Sequence, residues 1–485
     1  MKFCLITKSG PGLPLLLRLR DEGHQVAAVI MSKTCKHLYD GLVPKFDKVP
    51  DDFDVYFSDE TGLSKVMEDL RKSGKKVFNG TALGDRAEED RHFGLAMALA
   101  SGIRVPYTRV FKDVNEAVDY IIKHNRKVVI KLSGKVACAS SYVAQNPEAA
   151  ARWLMRQQEA GYLVDAKSFI VQDFVPGHEI STEVWYSNGK PIPGSANYTV
   201  ETKKFAPGDL GPNTGCQTSI VFAAGPDDLL VQETHKKVAP MLAAANESGA
   251  WDANTIVSHR SGNPFFLEWC GSRFGYNAIF CLLMLMGRTQ EFGEVLYKAA
   301  AGEEVVMNLR KGYGFAIRVS IPPYPLEGSE AVSQEVEKLY EVFAKDVYVE
   351  FPDTPEDVEI FPMDVYIKDG ELRCAGTDAI ICEVASFGET IAEARDKALE
   401  VAQKIKCDSD IYYRAEDATE RAEKVIPNLA TRGIITAPGY SEQPEPEEAT
   451  KKELKGVRQM RTPRGIIKVD RLTFGDEEGE SDEGD

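Results

Sequence analysis

The chain has 485 residues, 43% of them hydrophobic and 27% charged; that is the balance of a soluble globular protein and too long for one core, so about three or four domains are expected. Its net charge of −17 argues against nucleic-acid binding by the body of the protein, and its longest apolar run, 278–286, is too short to span a bilayer. Nine cysteines with no CxxC pair and no His/Cys cluster point away from a zinc site or a disulfide framework and suit a reducing cytoplasm, and the apolar stretch after Met1 is too short for a signal peptide.

Residues 2–7 read as a strand. The turn Lys8-Ser9-Gly10-Pro11-Gly12 leads into a helical pattern over 13–22, Gly23 stops it, and 25–31 is a second, nearly all-apolar strand. That order opens a parallel α/β sheet, where ligands sit beyond the strand ends. Gly10 and Gly12 suit a phosphate contact, and a plain tight turn would use them equally well. Strands near 54–58 and 76–79 continue the alternation, and EEDRHFGLAMALASG predicts one amphipathic helix over 88–102, stopped by Gly102. A helix over 115–124 and a strand over 127–132 follow, and that strand opens KLSGKVACASSYVA.

Residues 169–181, FIVQDFVPGHEIS, alternate like hairpin strands around a Pro-Gly turn. The stretch ETKKFAPGDLGPNTGCQ over 201–217 joins a basic pair, Lys203 and Lys204, to Asp209, Gly211, Pro212, Asn213 and Thr214, with few core-forming side chains. It reads as an irregular loop whose free N–H groups can face an anion. A helical pattern over 226–247, a strand over 251–258 and a turn at Gly262-Asn263 lead to LEWCGSRFGYN over 267–277. Within it, Glu268 is an acid at a strand end, and Arg273 is a planar fork able to pair with a carboxylate. Short strands resume at 315–321, 358–367, 372–375 and 379–384, before a strong helix over 390–405. The end of the chain changes character, with Pro, Gly, Ser and Glu over 437–450, a basic run over 451–471 and an acidic terminus.

The motif GDLGPNTGC resembles the GD-GPNTGG loop of the phosphoribosylamine–glycine ligases, ATP-grasp enzymes of purine synthesis, with Cys216 in place of the second Gly. FIVQDFVPGHEIS resembles that family's hinge, and LEWCGSRFGYN its LEFN-RFGDPE segment with one extra residue. CAGTDAIICEVASFGETIAEARDKALEVAQKI echoes its C-terminal pattern, and the weaker likeness covers roughly 1–425. The resemblance implies an α/β architecture with a Rossmann-like N-terminal domain (1–103) and an ATP-grasp domain (104–312, with a flap and hinge subdomain over about 104–185). A small α+β C-terminal domain (313–428) completes it, while the charge blocks of 429–485, outside the resemblance, read as a disordered charged tail.

Residue by residue, the resemblance puts Lys131, Gly134 and Lys135 at the ATP phosphates, Arg91 near the nucleotide, Asp173, Phe174 and Val175 at the adenine edge and Glu179 at the ribose. Glu268 and Asn277 would hold Mg2+, with Mn2+ as a substitute. Lys203, Lys204, Gly211, Pro212, Thr214, Gly10 and Gly12 would meet the substrates, and Arg273, Asp209 and Asn213 the reacting groups. The implied reaction joins a carboxylate to an amine through an acyl phosphate at the expense of ATP. Cys138-Ala139-Ser140 stands where the family has Gly-Lys-Gly, Cys270-Gly271-Ser272 replaces its Asn, and the first turn lacks its Arg-Glu-His. Three readings follow: a divergent glycine ligase, a ligase using another amine such as a modified nucleotide or base, or a catalytically weak ATP-binding scaffold. The expected partners are small amino acids and amines in the cytoplasm, with no membrane and with nucleic acid only for the basic tail segment.

Overall fold

Five consecutive buried residues, Phe3 to Thr7, make β1 (Lys2–Thr7) an interior strand, and the next strand, β2 (Gln25–Ile30), is as apolar. In the computed structural model, which describes residues 1–133, 141–161, 163, 168–326 and 333–440, both lie in a parallel sheet with β3 (Val55–Ser58) and β4 (Lys76–Phe78), in the order β2-β1-β3-β4. Strands covered on both faces need this near-continuous hydrophobic run. The helix α1 (Leu13–Asp21) links β1 to β2, and α2 (Ser64–Lys72) links β3 to β4. The single helix predicted from residue 88 is instead two, α3 (Ala82–Glu89) and α4 (Arg91–Ala100). Asp90 divides them: it adopts an extended conformation and its carboxylate accepts the Phe93 N–H at 3.0 Å, so a cap starts a new helix at Arg91.

A smaller antiparallel sheet follows, built from β5 (Thr108–Phe111), β6 (Val128–Ser133), β7 (Ser141–Val143) and β8 (Ser168–Asp173) in the order β5-β8-β6-β7. Its covering helices are α5 (Val114–His124) and α6 (Pro147–Glu159), whose Ala117, Ile121, Ala150 and Leu154 pack with Val128, Ile130 and Leu132.

The largest sheet begins with β9 (Gly177–Ser187), β10 (Lys190–Pro191), β11 (Asn197–Ala206) and β12 (Leu210–Ala223). After α7 (Leu229–Glu233) and α8 (His235–Ala244) come β13 (Gly249–Ser258) and β14 (Pro264–Gly271), then α9 (Ala278–Met286) and α10 (Phe292–Ala301). The C-terminal segment contributes β15 (Tyr313–Ser320), α11 (Ser333–Phe343), β16 (Val349–Glu350), β17 (Val358–Pro362), β18 (Val365–Lys368), β19 (Glu371–Cys374), β20 (Ile380–Gly388), α12 (Ile391–Ala402), β21 (Lys406–Cys407) and α13 (Glu420–Thr431). The sheet runs β14-β13-β9-β11-β12-β15-β20-β17. It therefore crosses the expected boundary at residue 312, with Thr218 of β12 paired to Ile317 of β15. Every residue of α9 is buried against it, as its unbroken apolar sequence requires. Packing also continues past residue 429, since Ile434, Ile435 and Ala437 are buried. Among the described residues no helix is long and apolar enough to cross a membrane.

The 201–217 stretch is a hairpin rather than an irregular loop. β11 and β12 pair through Thr202↔Thr218, Lys204↔Asn213 and Ala206↔Leu210, with bulges between, and only Pro207–Asp209 turns. The ladder uses main-chain groups that a loop would leave free, so side chains rather than amides face outward from most of it.

Two buried groups tie these layers together. Arg318 on β15 donates from Nε to Glu383 of β20 at 2.8 Å, from Nη2 to Asn277 at 3.1 Å and from Nη1 to Tyr324 at 3.1 Å. Arg318→Leu leaves that carboxylate buried without its cation and is expected to cost about 3–5 kcal/mol, read as a lower urea midpoint at unchanged slope. Glu247 accepts from Thr81 at 2.7 Å and from Trp251 at 3.2 Å, and burial pushes its carboxyl up to about 7. The raised value means the fold holds a proton that the unfolded chain releases above its ordinary carboxylate range. This contribution is complete below about 4.5 and is lost as pH rises through about 7. Glu247→Gln should accordingly flatten the fall in melting temperature between pH 5 and pH 8.

Candidate active site

A cleft of about 750 Å3 lies between the small sheet and the large one. Its walls come from β6, β7 and β8 on one side and from β9, β11, β12, β13 and β14 on the other, with α4 and residues 60–61 at one end. Residues 213–216 of β12 and 267–270 of β14 border the cleft consecutively, whereas the regular strands offer it alternate residues, because successive side chains point to opposite faces. On β9 these are Glu179, Ser181 and Glu183; on β11, Glu201 and Lys203; on β13, Asp252 and Asn254.

Glu268, near the end of β14, is the focus of the charges. Its Oε2 accepts from Arg91 Nη1 and lies 3.7 Å from Lys131 Nζ, and its Oε1 lies 3.5 Å from the Asn254 amide. Burial alone would raise this carboxyl, but Lys131, Arg91 and Lys203 pull it well below the ordinary range. Lys131, only 6% exposed, also donates to the Leu267 carbonyl at 3.1 Å, and Arg91 Nε donates to the Leu132 carbonyl at 3.2 Å. Burial lowers the Lys131 ammonium against the pull of Glu268.

A second group surrounds Lys203. It donates to Glu179 at 2.9 Å and lies 3.4 Å from Glu201, and these carboxylates hold its ammonium well above its usual value against the burial that would lower it. The Lys203 carbonyl takes the Thr214 hydroxyl at 2.8 Å. At the far end, Arg273 forms a fork with Glu88, with Nε at 2.9 Å and Nη2 at 2.7 Å, and Glu88 also accepts the Gly271 N–H at 3.0 Å. Asp252 faces Cys270 across the β13–β14 ladder, and its Oδ1 is buried with no hydrogen-bond partner among the described residues. Burial first, then Glu183 and Glu201, raise the Asp252 carboxyl well above its usual value.

Of the residues singled out in the sequence, Arg91, Lys131, Asp173, Phe174, Val175, Glu179, Lys203, Lys204, Asp209, Asn213, Thr214, Glu268 and Arg273 line this cleft. The Asp173 and Phe174 amides already donate to the Tyr107 and Lys127 carbonyls, at 2.8 and 3.1 Å. Asp209 sits at the hairpin turn, 3.4 Å from Arg414. Gly211 and Pro212 belong to the exposed hairpin and do not line the cleft. Asn277 is turned away: it precedes α9 with a positive φ of 58°, is fully buried, and spends its Oδ1 on Arg318. It therefore leaves the cation set expected for it. Gly10 and Gly12 form the turn after β1 without lining the cleft, and Gly134 and Lys135 lie outside the described residues.

Glu60, Glu88, Glu183, Glu201, Asp252, Asn254 and Arg421 also line the cleft, and no motif marks them in the sequence. The signal for four of them was present in the period-2 polar residues inside otherwise apolar strands, as in Trp251-Asp252-Ala253-Asn254. The donor set suits a hard divalent cation. Asn254 and Glu268 lie opposite each other on β13 and β14 and offer oxygen donors of the kind that Mg2+ takes with water and phosphate for the rest, although among the described residues no three His, Cys, Asp or Glu gather into a metal cluster. If Lys131 serves an anion in this cleft, Lys131→Met should weaken binding of a nucleoside triphosphate at least about tenfold in calorimetry, with an unchanged circular dichroism spectrum.

Residues 89–248 match the phosphoribosylglycinamide synthetase ATP-grasp (A) domain family. Phosphoribosylamine–glycine ligase from Pseudomonas aeruginosa is 26% identical over 384 residues, 74% of this chain and 82% of that protein. The Agrobacterium fabrum enzyme of the same name is 22% identical over 377 residues, 75% of this chain and 84% of that one. Among solved structures, the phosphoribosylamine–glycine ligase of Thermotoga maritima superposes with a TM-score of 0.65 at 18% identity, covering 86% of this chain and all of that one. Biotin carboxylase from Campylobacter jejuni, solved with an ATP compound, superposes with a TM-score of 0.60 at 13% identity, covering 90% of this chain and 98% of that one. The chain has the ATP-grasp fold and is a divergent relative of the phosphoribosylamine–glycine ligases.

Proposed function

We propose that this protein is an ATP-dependent ligase that joins the carboxylate of an amino acid to a small amine. The observation that carries the proposal is the Glu268–Arg91–Lys131 cluster, set in a cleft that also holds the paired Lys203 and Glu179. In the first step the substrate carboxylate attacks the γ-phosphorus of ATP, forming an acyl phosphate and releasing ADP. The amine then attacks the acyl carbon and expels phosphate, leaving an amide. Such a reaction needs positioning and charge neutralisation more than a protein nucleophile.

In this reading Lys131 and Arg91 take the phosphate charge, Asp173, Phe174 and Val175 border the base, and Glu179 meets the ribose. Glu268 with Asp252 and Asn254 would hold Mg2+ or Mn2+, and the bound ion supplies additional neutralisation of phosphate oxygens. Lys203, Lys204, Asn213 and Thr214 face the acid substrate, and the Arg273 fork lies where a carboxylate or acyl phosphate can exchange with Glu88. The names of the relatives support a small-molecule amine acceptor, and the cytoplasm is the setting we infer.

The test is ADP release by the purified protein with Mg-ATP, supplied with glycine and phosphoribosylamine made in situ and, in parallel, with other amino acids and amines. Turnover with at least one pair is expected, and Glu268→Ala should abolish it while the circular dichroism spectrum remains that of the folded protein. Full turnover in that variant would remove Glu268 from the site. A protein that binds ATP yet releases no ADP with any pair would be a binding protein instead.

A further inference from the structure

The turn after the first strand of an open parallel sheet is a common phosphate site, because a helix N-terminus and free amides meet there. In this chain the turn is already filled. The amides of Lys8 and Ser9 donate to Glu60 Oε2 at 2.7 and 2.8 Å, the Gly10 amide to Thr7 Oγ1 at 2.9 Å and the Gly12 amide to Asp59 Oδ2 at 2.6 Å. The Leu13 and Leu15 amides are bonded to the Gly10 and Gly12 carbonyls at 3.0 Å each, and Pro11 and Pro14 have no N–H. No backbone donor from residue 8 to residue 15 is left for an anion except by displacing one of the chain's own oxygens.

The carboxylates that fill the turn come from the end of the neighbouring strand β3, so the parallel sheet itself delivers them. The hydroxyls of Thr7 and Ser9 also donate to Glu60, at 2.8 and 2.5 Å. Gly12 is explained by the same approach: a Cβ there would stand 2.6 Å from Asp59 Oδ2. Lys8 borders the cleft at this end as well, with its Nζ drawn towards Gly62, where an added Cβ would meet it at 2.3 Å. Glu60 lines the cleft at this end, beside Thr61.

We propose that Glu60 is a specificity-determining residue: it closes the turn to phosphate, so the amine acceptor carries no phosphate group at the β1 end of the cleft. The Glu60 Oε1, bonded only by the Ser9 hydroxyl among the described contacts, is left to accept from a hydroxyl or ammonium group of that acceptor. The word acceptor rests on the ligase reading, whereas the exclusion of phosphate is a property of the turn and is measurable without turnover.

The experiment is calorimetry on the full chain saturated with Mg2+ and a non-hydrolysable ATP analogue, titrated with ribose 5-phosphate and with ribose. The wild type is expected to bind the phosphate ester no better than ribose, or to bind neither. Glu60→Ala, which frees two amides and removes the charge, should prefer the phosphate ester by about tenfold or more. Glu60→Gln keeps the shape and should move the same way by a smaller factor, which covers the case in which the alanine variant does not fold. A tenfold preference for ribose 5-phosphate already in the wild type would overturn the proposal. So would folded Glu60 variants that gain none. Absence of ADP release with every amine, in a wild type that ignores ribose 5-phosphate, would end the ligase reading and leave the closed turn standing.

Discussion

The carboxylate of Glu268 is shared by three elements far apart in the chain. It projects from β14 of the large sheet, Arg91 reaches it from the first turn of α4, and Lys131 from the small sheet. The same two cations bind main-chain carbonyls across the gap, Arg91 to Leu132 and Lys131 to Leu267. Charge-assisted bonds thus tie one sheet to the other at the cleft, beside an apolar cluster that joins Ile170 of β8 to Val184 and Tyr186 of β9. A buried lysine without that carboxylate would be costly, so the pairing constrains the walls of the cleft as well as their charge.

This arrangement bears on chemistry because the cations are already desolvated and aimed. A phosphate arriving beside Lys131 and Arg91 would exchange with Glu268 for partners that are in place, and little reorganisation remains for the reacting complex. The Lys203 group repeats the pattern, with Glu179 and Glu201 holding its ammonium charged. Arg273 and Glu88 repeat it again at the end near the N-terminal sheet. Each pair is an acid and a base that a ligand of either sign can separate.

Much of the architecture was legible from pattern. The apolar strands of the first sheet, the all-apolar α9 and the motif order that led to Lys131, Lys203, Glu268 and Arg273 all come from local sequence. The 201–217 hairpin was hidden because Gly and Pro density masks period-2 alternation, and a bulged strand tolerates both. Asn277 is not placed by its motif because its backbone conformation is a tertiary matter: a positive φ precedes α9 and its amide oxygen accepts from Arg318. Asp252 and Asn254 were overlooked for the opposite reason. They sit in a strand that reads as core, and only the sheet order shows which face meets the cleft.

The turn after β1 shows why a short glycine motif underdetermines function. Gly10 and Gly12 permit a close approach, and sequence alone does not say what approaches. Here it is Asp59, with Glu60 beside it, brought by strand pairing from nearly fifty residues away. The Tyr276 hydroxyl donates to the Asp59 carbonyl at 2.6 Å, which ties this end to the segment that follows Glu268. The acid that fills the turn and the tyrosine that bonds its main chain thus belong to one connected end of the cleft.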